Sequence, residues 1–216
     1  MEGARPGRVL FQKKTFRASE QLRDDVQQAR SRWRRRVKRI DPERLIFLDE
    51  SGVRLGMKRL YGRSARGWRI VDEEPGGHWR THTMTAAIGV RGVVAAMVTR
   101  RAINSITFVG FVRHFLAPQL RPGQIVVMDN LAVHKVAGVE EALHEVGAEA
   151  WFLPPYSPDL NPIERAWSKV KALLRAQTPT TFRRLVNAIG RSLRRVTPPE
   201  CRNYFIHSGY ASTPTR

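Results

Sequence analysis

One cysteine stands in 216 residues, Cys201. It excludes an intramolecular disulfide framework and any zinc site built on paired cysteines, and it points to a reducing compartment. No apolar run has the length of a membrane span: the longest weakly polar stretch, residues 83–99, is too short and is broken by Arg91. The N-terminus lacks the compact apolar core of a secretory signal, so a cytoplasmic location is expected. Phosphate-binding GxxxxGK loops, GxGxxG turns and GxSxG elbows are all missing, which leaves nucleotide hydrolysis and serine hydrolase chemistry without support. Acidic residues are scarce, 19 against 38 basic ones, for a formal charge of +19. What is present is 42% hydrophobic residues, too apolar for a disordered basic tail and enough for one domain that folds without staples.

The charge is segregated. Residues 1–40 carry 13 basic and 4 acidic side chains, a net of +9; residues 41–164 carry 14 of each; residues 165–202 carry 10 and 1, again +9. Two basic wings around a neutral centre suit a polyanion gripped on either side of a central site, because neutralised phosphates release counterions and so set affinity. A nucleic acid is the expected partner.

The pattern along the chain predicts a mixed α/β fold. Residues 1–17 read as an extended lead, and Glu20 to about Arg39 as a helix, Arg-rich at its end and stopped by Asp41-Pro42. This arm is too small for a three-helix DNA-binding domain. Leu45–Leu48 is a strand buried on both faces and ends in Asp49-Glu50-Ser51-Gly52. Residues 53–82 read as irregular strands and loops. Residues 83–90 and 93–99 form two strands joined at Arg91-Gly92. A helix over 106–116, a strand over 124–128, a helix over 136–146 and a strand over 150–153 follow. After a Pro-rich turn come a helix opened by Asn161-Pro162, with its apolar stripe at Ile163, Ala166, Trp167, Val170 and Leu174, and a last helix over 182–196. Helices are expected on both faces of the sheet.

Three acids fall at element ends: Asp49, Asp129 and Glu164. Ligands of open α/β sheets collect at the carboxyl ends of strands, which brings Asp49 and Asp129 together if their strands are neighbours. Glu164 shares a helix face with Ser168, Lys171 and Arg175, away from the apolar stripe. Three carboxylates at one point repel unless a cation lies between them. Hard oxygen ligands select Mg²⁺ or Mn²⁺, and two such ions about 3.5–4 Å apart activate water and stabilise a leaving oxygen in phosphodiester cleavage. A plainer reading stands beside this one. Asp49 and Asp129 also suit strand-end turns, Asn161-Pro162-Ile163-Glu164 is a capping-box pattern, and Asp159 is a rival third acid placed where a turn is expected.

The blocks Leu48-Asp49-Glu50-Ser51, Val127-Met128-Asp129-Asn130 with His134, and Pro154 to Glu164 (PPYSPDLNPIE) resemble the signature blocks of mariner-related bacterial insertion-sequence transposases of the DDE superfamily. The 34 residues between Asp129 and Glu164 match that branch. The resemblance covers about residues 10–210. It implies a ribonuclease H-like fold over 44–210, with a basic arm over 1–43 and a tail over 211–216. It implies Asp49, Asp129 and Glu164 as a triad holding Mg²⁺, with Mn²⁺ as substitute and two ions expected, and it implies cut-and-paste chemistry: hydrolysis at transposon ends, then attack of the freed 3′-hydroxyl on target DNA, with TA the target dinucleotide of relatives. Synapsis of two ends implies a homodimer on DNA, in a bacterial, nucleoid-associated setting. Full-length relatives also carry an N-terminal helix-turn-helix region for the inverted repeats, so a split-frame partner or a truncated copy is expected, without sequence-specific end binding by this chain alone.

Several single residues carry secondary expectations. His134 either reaches the scissile phosphate or orients a ligand, or else is a helix cap or surface residue, and Asn130 shapes the site or its turn. Arg34, Arg35 and Arg36 of the arm and Arg165, Lys169, Lys171 and Arg175 of the helix after the Pro-rich turn are the candidate phosphate contacts. Trp167 belongs to the core, Tyr156 is placed to stack on a base, and His78 with His82 lacks a third ligand of matching type. Rival functions are a non-catalytic DNA-binding remnant, an RNA-associated basic protein and another ribonuclease H-like nuclease.

Overall fold

The computed structural model describes residues 19–59, 61–73 and 81–210; the expected lead, His78 and the tail lie outside them. Five strands form one sheet in the order β3-β2-β1-β4-β5: β1 (Leu45–Arg54), β2 (Thr81–Gly89), β3 (Gly92–Thr99), β4 (Ile125–Met128) and β5 (Glu149–Phe152). β1 pairs antiparallel with β2 and parallel with β4, and β4 pairs parallel with β5. The apolar runs of β1 and β4 follow from their position. Each is a central strand with both faces covered, so alternate residues enter different cores.

Leu45 and Phe47 with Ile125 and Val127 face one core, and Ile46 and Leu48 with Val126 and Met128 face the other. The first core is covered by α1 (Asp24–Val37), α4 (Ile163–Gln177), α5 (Phe182–Leu193) and α6 (Pro198–His207), the second by α2 (Ser105–Phe111), its continuation as one wider π-type turn over Val112–Leu116, and α3 (Ala137–His144). Helices therefore lie on both faces, as the pattern predicts.

Three expectations need correction. β1 does not stop before Asp49. Pairing with β4 ends at Phe47, but β2 carries the strand on to Arg54 through Asp49↔Ala86, Glu50↔Thr85 and Arg54↔Thr81. The basic arm is no detached arm: α1 buries Val26, Arg30, Trp33 and Val37. Trp33 packs edge-on against Trp151 at 6.0 Å and donates from Nε1 to the Tyr210 hydroxyl at 2.9 Å, so no structural break falls at residue 43. Last, the helix over 182–196 ends at Leu193, and a further helix, α6, follows it.

Candidate active site

β1 and β4 run parallel with Leu45 opposite Ile125 and Phe47 opposite Val127, and continuing that register puts Asp49 level with Asp129. Alternation gives both residues the parity of Phe47 and Val127, the face covered by α4. α4 enters from the Pro-rich loop with Ile163, Ala166, Trp167, Val170 and Leu174 buried, which leaves Glu164 in its exposed first turn. Asp49, Asp129 and Glu164 line one cavity of about 430 Å³, together with Asn130, Leu131 and the turn around Tyr156. The three acids come from three elements far apart in sequence.

Asp49 is buried. One carboxylate oxygen, Oδ1, accepts from its neighbour's backbone N–H at 2.8 Å, and Oδ2 accepts from the Asn161 amide at 3.3 Å. Burial first, then the negative charge of Glu164, push its carboxyl up to about 7. The Asn161 contact decides between two readings of the Asn161–Glu164 pattern. In a capping box the Asn side chain accepts from the helix's first amides; here it donates to Asp49, and α4 starts without a side-chain cap. Among the described residues, Glu164 makes no side-chain hydrogen bond or ion pair.

Asp129 is half-buried. Burial raises its carboxyl, but His134 outweighs burial and holds it below the ordinary carboxylate value. Its Oδ1 accepts from the Leu131 N–H at 3.1 Å and lies 2.7 Å from Nδ1 of His134. The His134 ring is fully buried and packs 4.4 Å from Phe108, so it does not reach a scissile phosphate. Its Nε2 lies 3.2 Å from both carboxylate oxygens of Glu50. Burial works against its charge, yet the two carboxylates raise its pKa to about 10. Glu50 escaped the reading of single residues; the Asp-Glu pair on a strand, with opposite-facing side chains, was the available signal.

Asp159, the rival third acid, is committed elsewhere. Arg30 of α1 grips it with two nitrogens at 2.9 and 2.6 Å and also donates to the Ser157 hydroxyl at 2.7 Å. Gln21 donates to the Tyr156 carbonyl at 2.5 Å. The N-terminal segment thus braces the loop that walls the cavity, with Tyr156 at its mouth, about half exposed and at φ 53°.

The expected phosphate contacts divide. Arg34 and Arg165 line a second cavity of about 480 Å³ that shares Pro158, Asn161 and Glu164 with the first. Arg35 is exposed beside Arg34. Arg36 stacks over the Trp151 ring at 3.3 Å. Lys171 and Arg175 lie half-buried along α4, about 10 and 16 Å beyond Glu164 at 1.5 Å per residue. Lys169 departs from the expectation: its ammonium is held by Glu200 at 2.5 and 2.6 Å and by the Arg195 carbonyl, because α6 packs across it. His82 is buried against the Phe182 ring at 5.0 Å, and neither nitrogen has a hydrogen-bond partner among the described residues.

A five-stranded mixed sheet of this order, with acids just beyond the parallel pairing of its central strands and on a covering helix, defines a ribonuclease H-like fold. The chain belongs to the DDE superfamily endonuclease family, whose model matches residues 44–186. Among solved structures it is similar to the Mos1 transposase paired-end complex with the left transposon end, at 16% identity and TM-score 0.75, over 94% of this chain and 64% of that one. The Mos1 mariner paired-end complex with Mn matches at 15% and 0.72, over 94% and 64%. The catalytic domain of Mos1 mariner transposase matches at 14% and 0.53, over 94% and 100%. The chain thus spans 64% of the transposase in the first of these complexes. No curated protein matches it by sequence.

Proposed function

We propose that the chain is the catalytic domain of a DNA transposase that hydrolyses phosphodiester bonds at transposon ends and transfers the freed 3′-hydroxyl into target DNA. The observation that carries the reading is the meeting of Asp49, Asp129 and Glu164, from three elements, in one cavity. The Mos1 complexes hold transposon-end DNA in one case and Mn in another, which supports DNA and a divalent cation as partners here.

The residues fit such a cation. The donor set is all oxygen, the choice of Mg²⁺ or Mn²⁺ over softer metals. A carboxylate whose protonation is pushed up by a neighbouring one, as that of Asp49 is by Glu164, marks a place for positive charge. Among the described residues no three His, Cys, Asp or Glu side chains are close enough to enclose an ion; the three acids line an open cavity walled also by the Pro-rich loop. Asp49, Asp129 and Glu164 would hold the metal, which when bound supplies a water nucleophile and charge stabilisation at the leaving oxygen. The chain's own work is positioning. Asn161 fixes Asp49, His134 fixes Asp129, Glu164 faces the cavity from α4, and Arg34 with Arg165 meets flanking backbone phosphates. Two ions, a homodimer on paired ends and a cytoplasmic, nucleoid-associated setting complete the proposal.

The test is Mn²⁺ binding by calorimetry and end-DNA cleavage, on the wild type and on Asp129→Ala. The variant should lose Mn²⁺ binding and cleavage while DNA affinity stays equal or rises, since a negative charge has left the site. Cleavage retained by Asp129→Ala would sink the triad assignment. A folded wild type that binds no Mn²⁺, with or without DNA, would make the chain a non-catalytic DNA-binding remnant.

A further inference from the structure

Asp49 and Glu50 are adjacent on β1 and so point to opposite faces of the sheet. Asp49 faces the α4 side and lines the acid cavity. Glu50 faces the α2 side, where its side chain is 13% exposed and meets a histidine that is 0% exposed. A carboxylate and an imidazole withdrawn from water are expensive unless each polar atom finds a partner. Here they do: His134 Nε2 lies 3.2 Å from each Glu50 oxygen, and its Nδ1 lies 2.7 Å from Oδ1 of Asp129. Both ring nitrogens face carboxylates, which only accept, so each carries a hydrogen. Phe108 holds the ring plane from α2, and any rotation of the ring breaks the contact at both ends.

The consequence falls on Asp129. Its Oδ1 is occupied by His134 and by the Leu131 N–H, whereas Oδ2 has no protein donor among the described residues. One oxygen is anchored and the other is presented. Resting on the reading of Asp129 as a metal ligand, we propose that Glu50 is a positioning residue: through His134 it fixes the Asp129 carboxylate so that one oxygen is held ready for the cation. Glu50 touches neither metal nor DNA, and the strand that supplies one acid to the cavity anchors a second acid from behind.

The experiment is calorimetric Mn²⁺ titration of the full chain as wild type, Glu50→Ala, Glu50→Gln and Asp129→Ala, with a thermal melt and a metal-free DNA affinity for each. Groups that orient metal ligands typically change metal affinity about 10–100-fold. Glu50→Ala should therefore weaken Mn²⁺ binding in that range while folded and with unchanged DNA affinity. Glu50→Gln retains an acceptor for the Nε2 hydrogen, but a neutral one, and should fall between. A tie that serves folding alone would lower the melting temperature and leave Mn²⁺ affinity at the wild-type value in the folded variants; that result overturns the proposal. If Glu50→Ala does not fold, wild-type Mn²⁺ affinity in Glu50→Gln overturns it equally. Loss of Mn²⁺ in Asp129→Ala together with wild-type binding in both Glu50 variants rejects only this inference. Equal Mn²⁺ binding by wild type and Asp129→Ala removes the assignment of Asp129 itself and this proposal with it.

Discussion

His82 and His134 are both buried histidines, and their surroundings give them opposite roles. His134 has a carboxylate at each ring nitrogen. His82 sits 5% exposed on β2 against Phe182, and neither of its nitrogens has a partner among the described residues. An imidazole with unmet hydrogen bonds in an apolar setting costs about 1–3 kcal/mol relative to a partnered one, whereas an apolar side chain of similar shape avoids that cost. His82→Leu should accordingly be neutral or stabilising by about 1 kcal/mol, read as the urea midpoint at an unchanged slope. Destabilisation by more than this would mean that a water or ligand satisfies the ring and that His82 has a polar role. The sequence separated the two rings only by placing His134 beside Asp129 in a block that resembles the family's; the contacts that set their roles are Glu50, 84 positions away from His134, and Phe182, 100 positions away from His82.

At the scale of elements, α6 shows what local patterning can reveal and what it cannot. Thr197-Pro198-Pro199-Glu200 carries a cap residue, proline at the first helical position and an acid three residues after the cap, so the helix was legible in the sequence although its short apolar stripe hides it. That Glu200 also binds Lys169 of α4 was not legible, since tertiary packing alone brings them together. Lys169, together with the Thr197 N–H and hydroxyl, holds the Glu200 carboxyl down at about 2 against an ordinary 4.5. A carboxyl depressed by folding stabilises above its unfolded value, and that contribution is lost as pH falls through the window from 4.5 toward 2. Caps and partly exposed ion pairs contribute about 1 kcal/mol each. Glu200→Gln should then cost about 1–2 kcal/mol at pH 7 in chemical unfolding, and the gap from wild type should narrow below pH 4.5 and close only as pH falls through about 2. A gap independent of pH would show that packing, not charge, ties α6 to α4. α1 repeats the lesson: its Arg-rich composition reads as a phosphate-binding arm, while Trp33 and Arg30 join it to Trp151, Tyr210 and Asp159. Composition and the Asp41-Pro42 stop found the helix; only the distant partners make it a brace for the site loop.

Over the whole molecule, the described part of the first basic wing and the second wing, separated by the neutral centre of the sequence, lie over the same face of the sheet. α1 from the first wing and α4, α5 and α6 from the second all cover the same face of the sheet, and α3 on the opposite face carries Glu140 and Glu141. The site opens on the basic side, because the parity of Asp49 and Asp129 turns them toward α4. Arg34 from one wing and Arg165 from the other line a single cavity beside the acids, and Arg30 holds α1 to that loop one helical turn before Arg34. A duplex seated across the acids would thus meet a cation from each wing. Binding governed by released counterions falls linearly in log–log against salt, with a slope of about −0.9 per neutralised phosphate on B-form DNA. Arg34→Ala with Arg165→Ala should reduce the magnitude of that slope by about 2. Arg113→Ala, which removes a cation paired with Glu145 beyond the other face, should leave it unchanged. Equal slopes for wild type and the double variant would take the duplex off this surface, whereas equal losses from both faces would reduce the basic wings to a general attraction without a seat.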